Sequence, residues 1–218
     1  MAIIVLDDRL EFPPPEMAEP DGLLAIGGDL SPARLLKAYA AGIFPWYSED
    51  YILWWNPDPR FVLFPPALRI SHSMKKLLRH PPFDFTVNAD FAGVIRGCKM
   101  AARKDQDGTW ITDDMEEAYI ELHRLGFAHS AETWKDGRLV GGLYGIRLGK
   151  VFFGESMFSL VSNASKFAFI RYVQQLAEEG VRLIDCQVYT EHLESLGAEM
   201  IPREIFLGLL TQLVPPFH

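Results

Sequence analysis

Two turn signals, Asp136-Gly137 and Gly149-Lys150, limit what this chain can become more than any other feature. Asp-Gly supplies the positive φ that a two-residue hairpin turn demands. The runs these turns separate, 128–135, 139–148 and 151–158, are rich in apolar and β-prone residues. Three strands must therefore lie side by side, each antiparallel to the next. Downstream, the pattern predicts a long helix over 163–179 closed by Gly180, a strand over 183–188, a short helix over 192–196 and a last helix over 203–213.

Upstream of the meander, 71–80 reads as a helix ended by Pro81-Pro82, 83–87 as a short strand and 89–104 as a helix in spite of Gly93 and Gly97. Thr112 or Asp113 caps a further helix, with Met115, Ala118, Tyr119 and Leu122 as its apolar stripe and Gly126 as its stop. The opening residues have another texture. Pro13-Pro14-Pro15, Pro20, Gly27-Gly28, Pro45, Pro57 and Pro59 leave room for one helix, capped by Ser31, started by Pro32 and stopped at Gly42. The aromatics that follow, among them Trp46, Trp54 and Trp55, are either a seam onto a second domain or part of a binding surface. A small Pro/Trp-rich N-terminal domain over 1–60 and a larger domain over 61–218 are expected. The class is α/β (α+β), and the order helix pair, meander, long helix, strand, helix is that of a GCN5-related acyltransferase core. Order alone assigns no function.

Composition narrows the function classes. With 218 residues, 49% of them apolar and 23% charged, the chain can bury a substantial core. A formal charge of −8 argues against broad nucleic-acid binding, though not against one local basic patch. Cys98 and Cys186 form neither a disulfide framework nor a zinc site, and no metal is expected. No apolar run approaches membrane-spanning length, and the opening one is too short for a signal peptide. A cytoplasmic enzyme or binding protein is the expectation.

Polar residues concentrate in Gly154-Glu155-Ser156-Met157-Phe158-Ser159, Asn163-Ala164-Ser165-Lys166 and Asp185-Cys186-Gln187. Strands that otherwise read as buried need partners or a task for such groups. Asp185 and Gln187 stand two apart on a strand, so both side chains are expected on one open face, with Ile184, Cys186 and Val188 turned to the core. A carboxylate beside an amide can hold an amine and accept its proton; it can equally be a buried pair satisfying nearby backbone. Glu155 and Met157 also share a face. There an acid beside an apolar patch can orient an amino group, or simply pair with Lys150 or Arg147.

The chain resembles the bacterial leucyl/phenylalanyl-tRNA–protein transferases. The matching strings are Gly22-Leu23-Leu24-Ala25-Ile26-Gly27-Gly28-Asp29-Leu30, Gly42-Ile43-Phe44-Pro45-Trp46 and Trp54-Trp55-Asn56-Pro57-Asp58-Pro59-Arg60. Others are Gly108-Thr109-Trp110-Ile111-Thr112, Gly141-Gly142-Leu143-Tyr144-Gly145 and Leu183-Ile184-Asp185-Cys186-Gln187, together with the polar strings at 154–159 and 163–166. They run in register from about residue 12 to about residue 206. The resemblance implies a small N-terminal domain on a GCN5-like domain, and an enzyme that moves Leu, Phe or Met from aminoacyl-tRNA to a protein N-terminus beginning with Arg or Lys. The product marks that protein for degradation. Its partners are then aminoacyl-tRNA and such proteins, with no cofactor and no membrane, and a monomer is expected.

The resemblance also assigns roles. It sets Asp185 and Gln187 as the catalytic pair, with Glu155 orienting the amine. It makes Leu143, Phe152 and Tyr172 the lining of an apolar donor pocket, although the family often carries Met where this chain has Leu143. By residue type alone those three are ordinary core. Trp46 and Trp110 are candidate platforms for the terminal adenosine. Lys75, Lys76 and Arg79, on about one side of a helix, are candidate phosphate contacts or merely a solvated face. Two competing readings are an acetyl-CoA-dependent N-acetyltransferase of the same fold and a non-catalytic adaptor for basic protein N-termini. Against the first, Ser162-Asn163-Ala164-Ser165 lacks the glycine pattern that cradles a pyrophosphate at a helix start.

Overall fold

The computed structural model describes residues 4–48, 51–101 and 111–216. Its N-terminal part is more ordered than the proline content suggests. Four short strands, β1 (Ile4–Leu6), β2 (Leu23–Gly27), β3 (Phe44–Ser48) and β4 (Tyr51–Trp55), form a sheet in the order β1-β2-β4-β3. The sequence reading allowed only a helix here. Pro45 explains the difference for β3: it lies inside that strand, and β3 is an edge strand, where a residue without an N–H is tolerated. The expected helix is present as α1 (Pro32–Ala40), whose first turn donates Arg34 N–H to the Ser31 hydroxyl at 3.4 Å. Arg34 is itself buried. Its guanidinium donates to the carbonyls of Asp7 (2.8 Å) and Arg9 (3.0 Å) and to the Asp29 carboxylate (3.2 Å), tying the chain around β1 and the Gly27-Gly28-Asp29 turn to the helix.

The second sheet has seven strands: β5 (Arg60–Leu63), β6 (Asp84–Val87), β7 (Ala128–Lys135), β8 (Arg138–Leu148), β9 (Val151–Ser159), β10 (Leu183–Gln187) and β11 (Glu199–Ile201). Their order is β11-β5-β10-β9-β8-β7-β6. The meander β7–β8–β9 is antiparallel as expected, and Asp136 (φ 51°) and Gly137 (φ 71°) make the positive-φ turn. Within this sheet only β9 and β10 pair in parallel. That pairing requires a crossover, supplied by α5 (Ala164–Glu178).

The remaining helices are α2 (His72–Arg79), α3 (Phe91–Met100), α4 (Asp113–Arg124), α6 (Glu191–Ser195) and α7 (Arg203–Leu213). Four begin on a side-chain cap, from Ser71, Asp90, Thr112 and Thr190. Helix α5 packs on β7 and β8 with Phe167, Ile170 and Val173, in one apolar cluster. Val94 and Ile95 of α3 with Met115 and Leu122 of α4 belong to a second cluster, which continues to α1 and the N-terminal sheet. Each such side chain contributes about 1.5–3 kcal/mol when fully buried. Gly141 permits the close seat of α5: a Cβ there would stand 2.6 Å from Ala164 Cβ. No described helix is long and apolar enough to cross a membrane.

Candidate active site

The parallel pairing of β9 with β10 ends at Phe153 opposite Asp185, while β9 runs on to Ser159. Beyond that point the two strands part. β10 turns away because its ladder shifts between Asp185 and Gln187 and because Gln187 takes a left-handed backbone (φ 64°). A non-glycine residue pays for that conformation with about 1–2 kcal/mol of steric strain, offset here by the Gln187 N–H donating to Asp185 Oδ1 at 2.9 Å. A cleft of about 510 Å³ opens where the strands separate.

The floor of the cleft carries Glu155, Asp185 and Gln187, and the three do different things. Asp185 does not stand on an open face. It is fully buried, and the Arg60 guanidinium grips it in a fork, Nε to Oδ1 at 2.8 Å and Nη2 to Oδ2 at 2.6 Å. Its charge is thus already paired. Removing one partner of such a buried pair costs about 3–5 kcal/mol. Cys186 and Val188, expected in the core, instead border the cleft. Gln187 reaches across the gap and donates from Nε2 to Glu155 Oε1 at 2.7 Å.

Glu155 is the part-buried acid at the centre. Its second oxygen accepts from the Tyr119 hydroxyl at 3.0 Å, and Tyr119 is hydrogen-bonded to Tyr39. Since the single Tyr119 proton goes to the carboxylate, the Tyr39 hydroxyl is the donor of that second bond. Burial pushes the Glu155 carboxyl up to about 7, against the hydrogen bonds from Tyr119 and Gln187 and the nearby Tyr39 hydroxyl, which favour its charged form, and the Asp185 charge adds to the rise. Burial first, then the charge of Glu155, raises both phenols well above their ordinary range, so both stay protonated as donors. Arg147, the partner considered for Glu155, pairs with Glu179 instead. Burial and the Asp185 charge push the Cys186 thiol upward, which removes it as a nucleophile.

The walls are apolar. Leu143, Phe152 and Met157 line the cleft together with Phe158, Phe169 and Ile184, and Trp46 with Phe44 forms the side contributed by the N-terminal sheet. Tyr172 does not reach the cavity: it stands edge-on behind Phe152, ring centres 5.2 Å apart, and props that wall from the core. Phe169 of α5 lines the cavity instead, a residue to which the sequence reading assigns no role. His192 of α6 also lines the cleft, its pKa lowered by burial and by Lys166. Lys75, Lys76 and Arg79 are exposed on α2 and do not line the cleft. Trp110 lies outside the described residues. Among those described, no group of three or more His, Cys, Asp and Glu is arranged to hold a metal ion.

Three site residues had no polar role in the sequence reading. Tyr39 and Tyr119 read as members of apolar helix stripes, which hides a hydroxyl aimed along the core. Arg60 closes the Trp54–Arg60 string, and its partner Asp185 stands 125 residues away, so no local pattern points to it.

A family model described as "Leucyl/phenylalanyl-tRNA protein transferase" matches residues 62–211, and the model of that family's N-terminal domain matches residues 28–58. A leucyl/phenylalanyl-tRNA–protein transferase of Anaeromyxobacter sp. (strain Fw109-5) is 58% identical over 211 residues, covering 96% of this chain and 90% of the relative. One from Nitrosospira multiformis is 57% identical over 206 residues, covering 93% and 88%. Among solved structures, a GCN5-related N-acetyltransferase from Kribbella flavida matches at 15% identity and a TM-score of 0.40, covering 78% of this chain and 59% of that one. At that distance the likeness carries no argument.

Proposed function

The chain belongs to the leucyl/phenylalanyl-tRNA–protein transferase family, and from that premise we propose that the cleft between β9 and β10 joins the aminoacyl group of a tRNA to a protein N-terminus, with Glu155 as proton acceptor. The observation that carries this is one part-buried carboxyl at about 7, aimed by Gln187 and Tyr119, beneath an apolar cavity. A group with a pKa near the working pH is the best compromise between availability and basicity.

The chemistry is aminolysis of an ester. The neutral α-amine of the acceptor attacks the ester carbonyl carbon, whose π electrons move to its oxygen. The proton leaving nitrogen goes to Glu155. The carbonyl then re-forms, the bond to the ribose oxygen breaks, and that oxygen takes the proton back from Glu155. Holding amine and ester together supplies most of the effect, about 7–11 kcal/mol. Asp185, buried and paired, orients Gln187 and does not receive the proton itself.

The donor side chain enters the pocket of Leu143, Phe152, Met157 and Phe169, with Tyr172 behind. An apolar pocket separates neighbouring side chains by only about 1–3 kcal/mol per methylene, which suits a protein that accepts Leu, Phe and Met. Trp46 stacks on the terminal adenosine, and Lys75, Lys76 and Arg79 meet acceptor-stem phosphates. The acceptor is a protein beginning with Arg or Lys, and the transferred residue marks it for degradation. The protein acts as a cytoplasmic monomer, built from an N-terminal domain over 1–60 and a larger domain over 61–218; the change of sheet between β4 and β5 supports that division.

At the start of α5 the Ser165 N–H is already taken by the Ser159 hydroxyl at 3.3 Å, which leaves less of that helix end for a coenzyme pyrophosphate. The deciding experiment offers labelled Leu-, Phe- and Met-tRNA with peptides that begin with Arg, Lys or Ala, and acetyl-CoA in parallel. Transfer to the Arg and Lys peptides alone is expected. Tight acetyl-CoA binding without aminoacyl transfer would overturn the reading.

A further inference from the structure

Arg60 has three relations that together exceed what a core filler needs. It is almost wholly buried, and its planar fork meets Asp185 through two hydrogen bonds. Its guanidinium carbon lies over two rings, 4.8 Å from the centre of Phe44 and 4.6 Å from that of Phe206. Phe44 belongs to the wall that the N-terminal sheet gives to the cleft, and Phe206 to α7. Asp185 Oδ1, which accepts from Arg60 Nε, is also the atom that accepts the Gln187 N–H. A single oxygen therefore joins the grip of Arg60 to the left-handed turn that sends the Gln187 amide to Glu155.

We propose that Arg60 is a positioning residue of the transfer reaction: by fixing the Asp185 carboxylate between β5 and β10 it fixes the turn at Gln187, and so the orientation of Glu155 toward the amine. The proposal rests on the assignment of Glu155 as proton acceptor. Arg60 has a second effect through charge. Glu155 is faced by Tyr39 from α1, Tyr119 from α4, and Gln187 and Asp185 from β10; of these, only Asp185 carries a full charge, and Arg60 balances it. A lysine in place of Arg60 keeps the charge but presents a point donor instead of a fork. The two rings can stack on a planar guanidinium, whereas an ammonium would keep only the attraction of a point charge to their faces.

The test measures single-turnover Phe transfer against pH for the wild type, Arg60→Lys, Arg60→Met and Asp185→Asn, with melting temperature and donor-tRNA affinity recorded for each. Arg60→Lys is expected to melt near the wild type and bind donor within about threefold, yet transfer about 10²-fold more slowly, the scale of a misplacement of about 1 Å. The rate rises with pH as Glu155 ionises. In Arg60→Met the uncompensated Asp185 carboxylate opposes that ionisation, so the acid limb moves to higher pH. In Asp185→Asn the uncompensated Arg60 cation favours it, so the limb moves to lower pH. The ionisation of the substrate amine is common to all four proteins and does not move. Should Arg60→Met fail to fold, the lysine variant and Asp185→Asn still decide. A folded Arg60→Lys with the wild-type rate, or limbs that stay in place, would show Arg60 to be core packing only. If Glu155→Gln transfers normally, the assignment of the acceptor fails, a separate outcome from the failure of Arg60.

Discussion

The Glu155 carboxyl titrates near 7 in the folded chain against 4.5 for the free group, so it holds its proton where its unfolded counterpart has lost it. A raised acid pKa contributes stability that is complete below about 4.5 and disappears as pH rises through about 7. Glu155→Gln cannot ionise and escapes that loss. Its stability relative to the wild type should therefore improve by about 2–3 kcal/mol between pH 5 and pH 8, read from urea unfolding at each pH. An unchanged difference would mean that Glu155 is solvated like a surface acid. The donor pocket yields a second prediction on the same scale. Leu143→Trp should fill the cavity beside Phe152 and suppress Phe transfer more than Met transfer, since the longer, flexible Met adapts to a narrowed space. Equal loss for all donors would place the pocket elsewhere.

Elements explain why the cleft opens at the β9–β10 junction and why only part of it is readable in the sequence. The meander, the caps at Ser31 and Thr112 and the crossover helix follow from local rules, and all are present. Strand β3 is hidden by Pro45, because an edge strand escapes the rule that bars proline from a sheet interior. The Glu155–Gln187 contact was also illegible, since spacing puts Asp185 and Gln187 on one face only if the strand continues regularly. The shift of register after Asp185 and the positive φ of Gln187 break that regularity. Long-range partners such as Arg60 for Asp185 leave no local pattern at all. Helix seating gives a test at this scale. Gly141→Ala would bring a methyl within 2.6 Å of Ala164 Cβ and push α5 off β8. The expected cost is about 1–3 kcal/mol of stability, measured by denaturant unfolding. A neutral effect would show that α5 slides freely on the sheet.

For the whole molecule, a formal charge of −8 must coexist with a polyanionic donor. Contact confined to the end of the tRNA and to the exposed cations of α2 would reconcile the two. Replacing Lys75, Lys76 and Arg79 together by Gln should weaken donor binding and reduce the slope of log affinity against log salt by about two to three. A slope that stays the same would make α2 a solvated face. The joint work of both sheets, α1 and α4 is to hold one carboxyl between Gln187 and Tyr119 beneath the apolar cavity. Single-turnover Phe transfer by Glu155→Gln, at saturating donor tRNA and acceptor peptide, tests that claim most directly. The side chain keeps its shape and loses only the ability to take the proton, so the rate should fall by about 10²–10⁴-fold with donor affinity nearly unchanged. A folded Glu155→Gln enzyme that transfers Phe at the wild-type rate would contradict it.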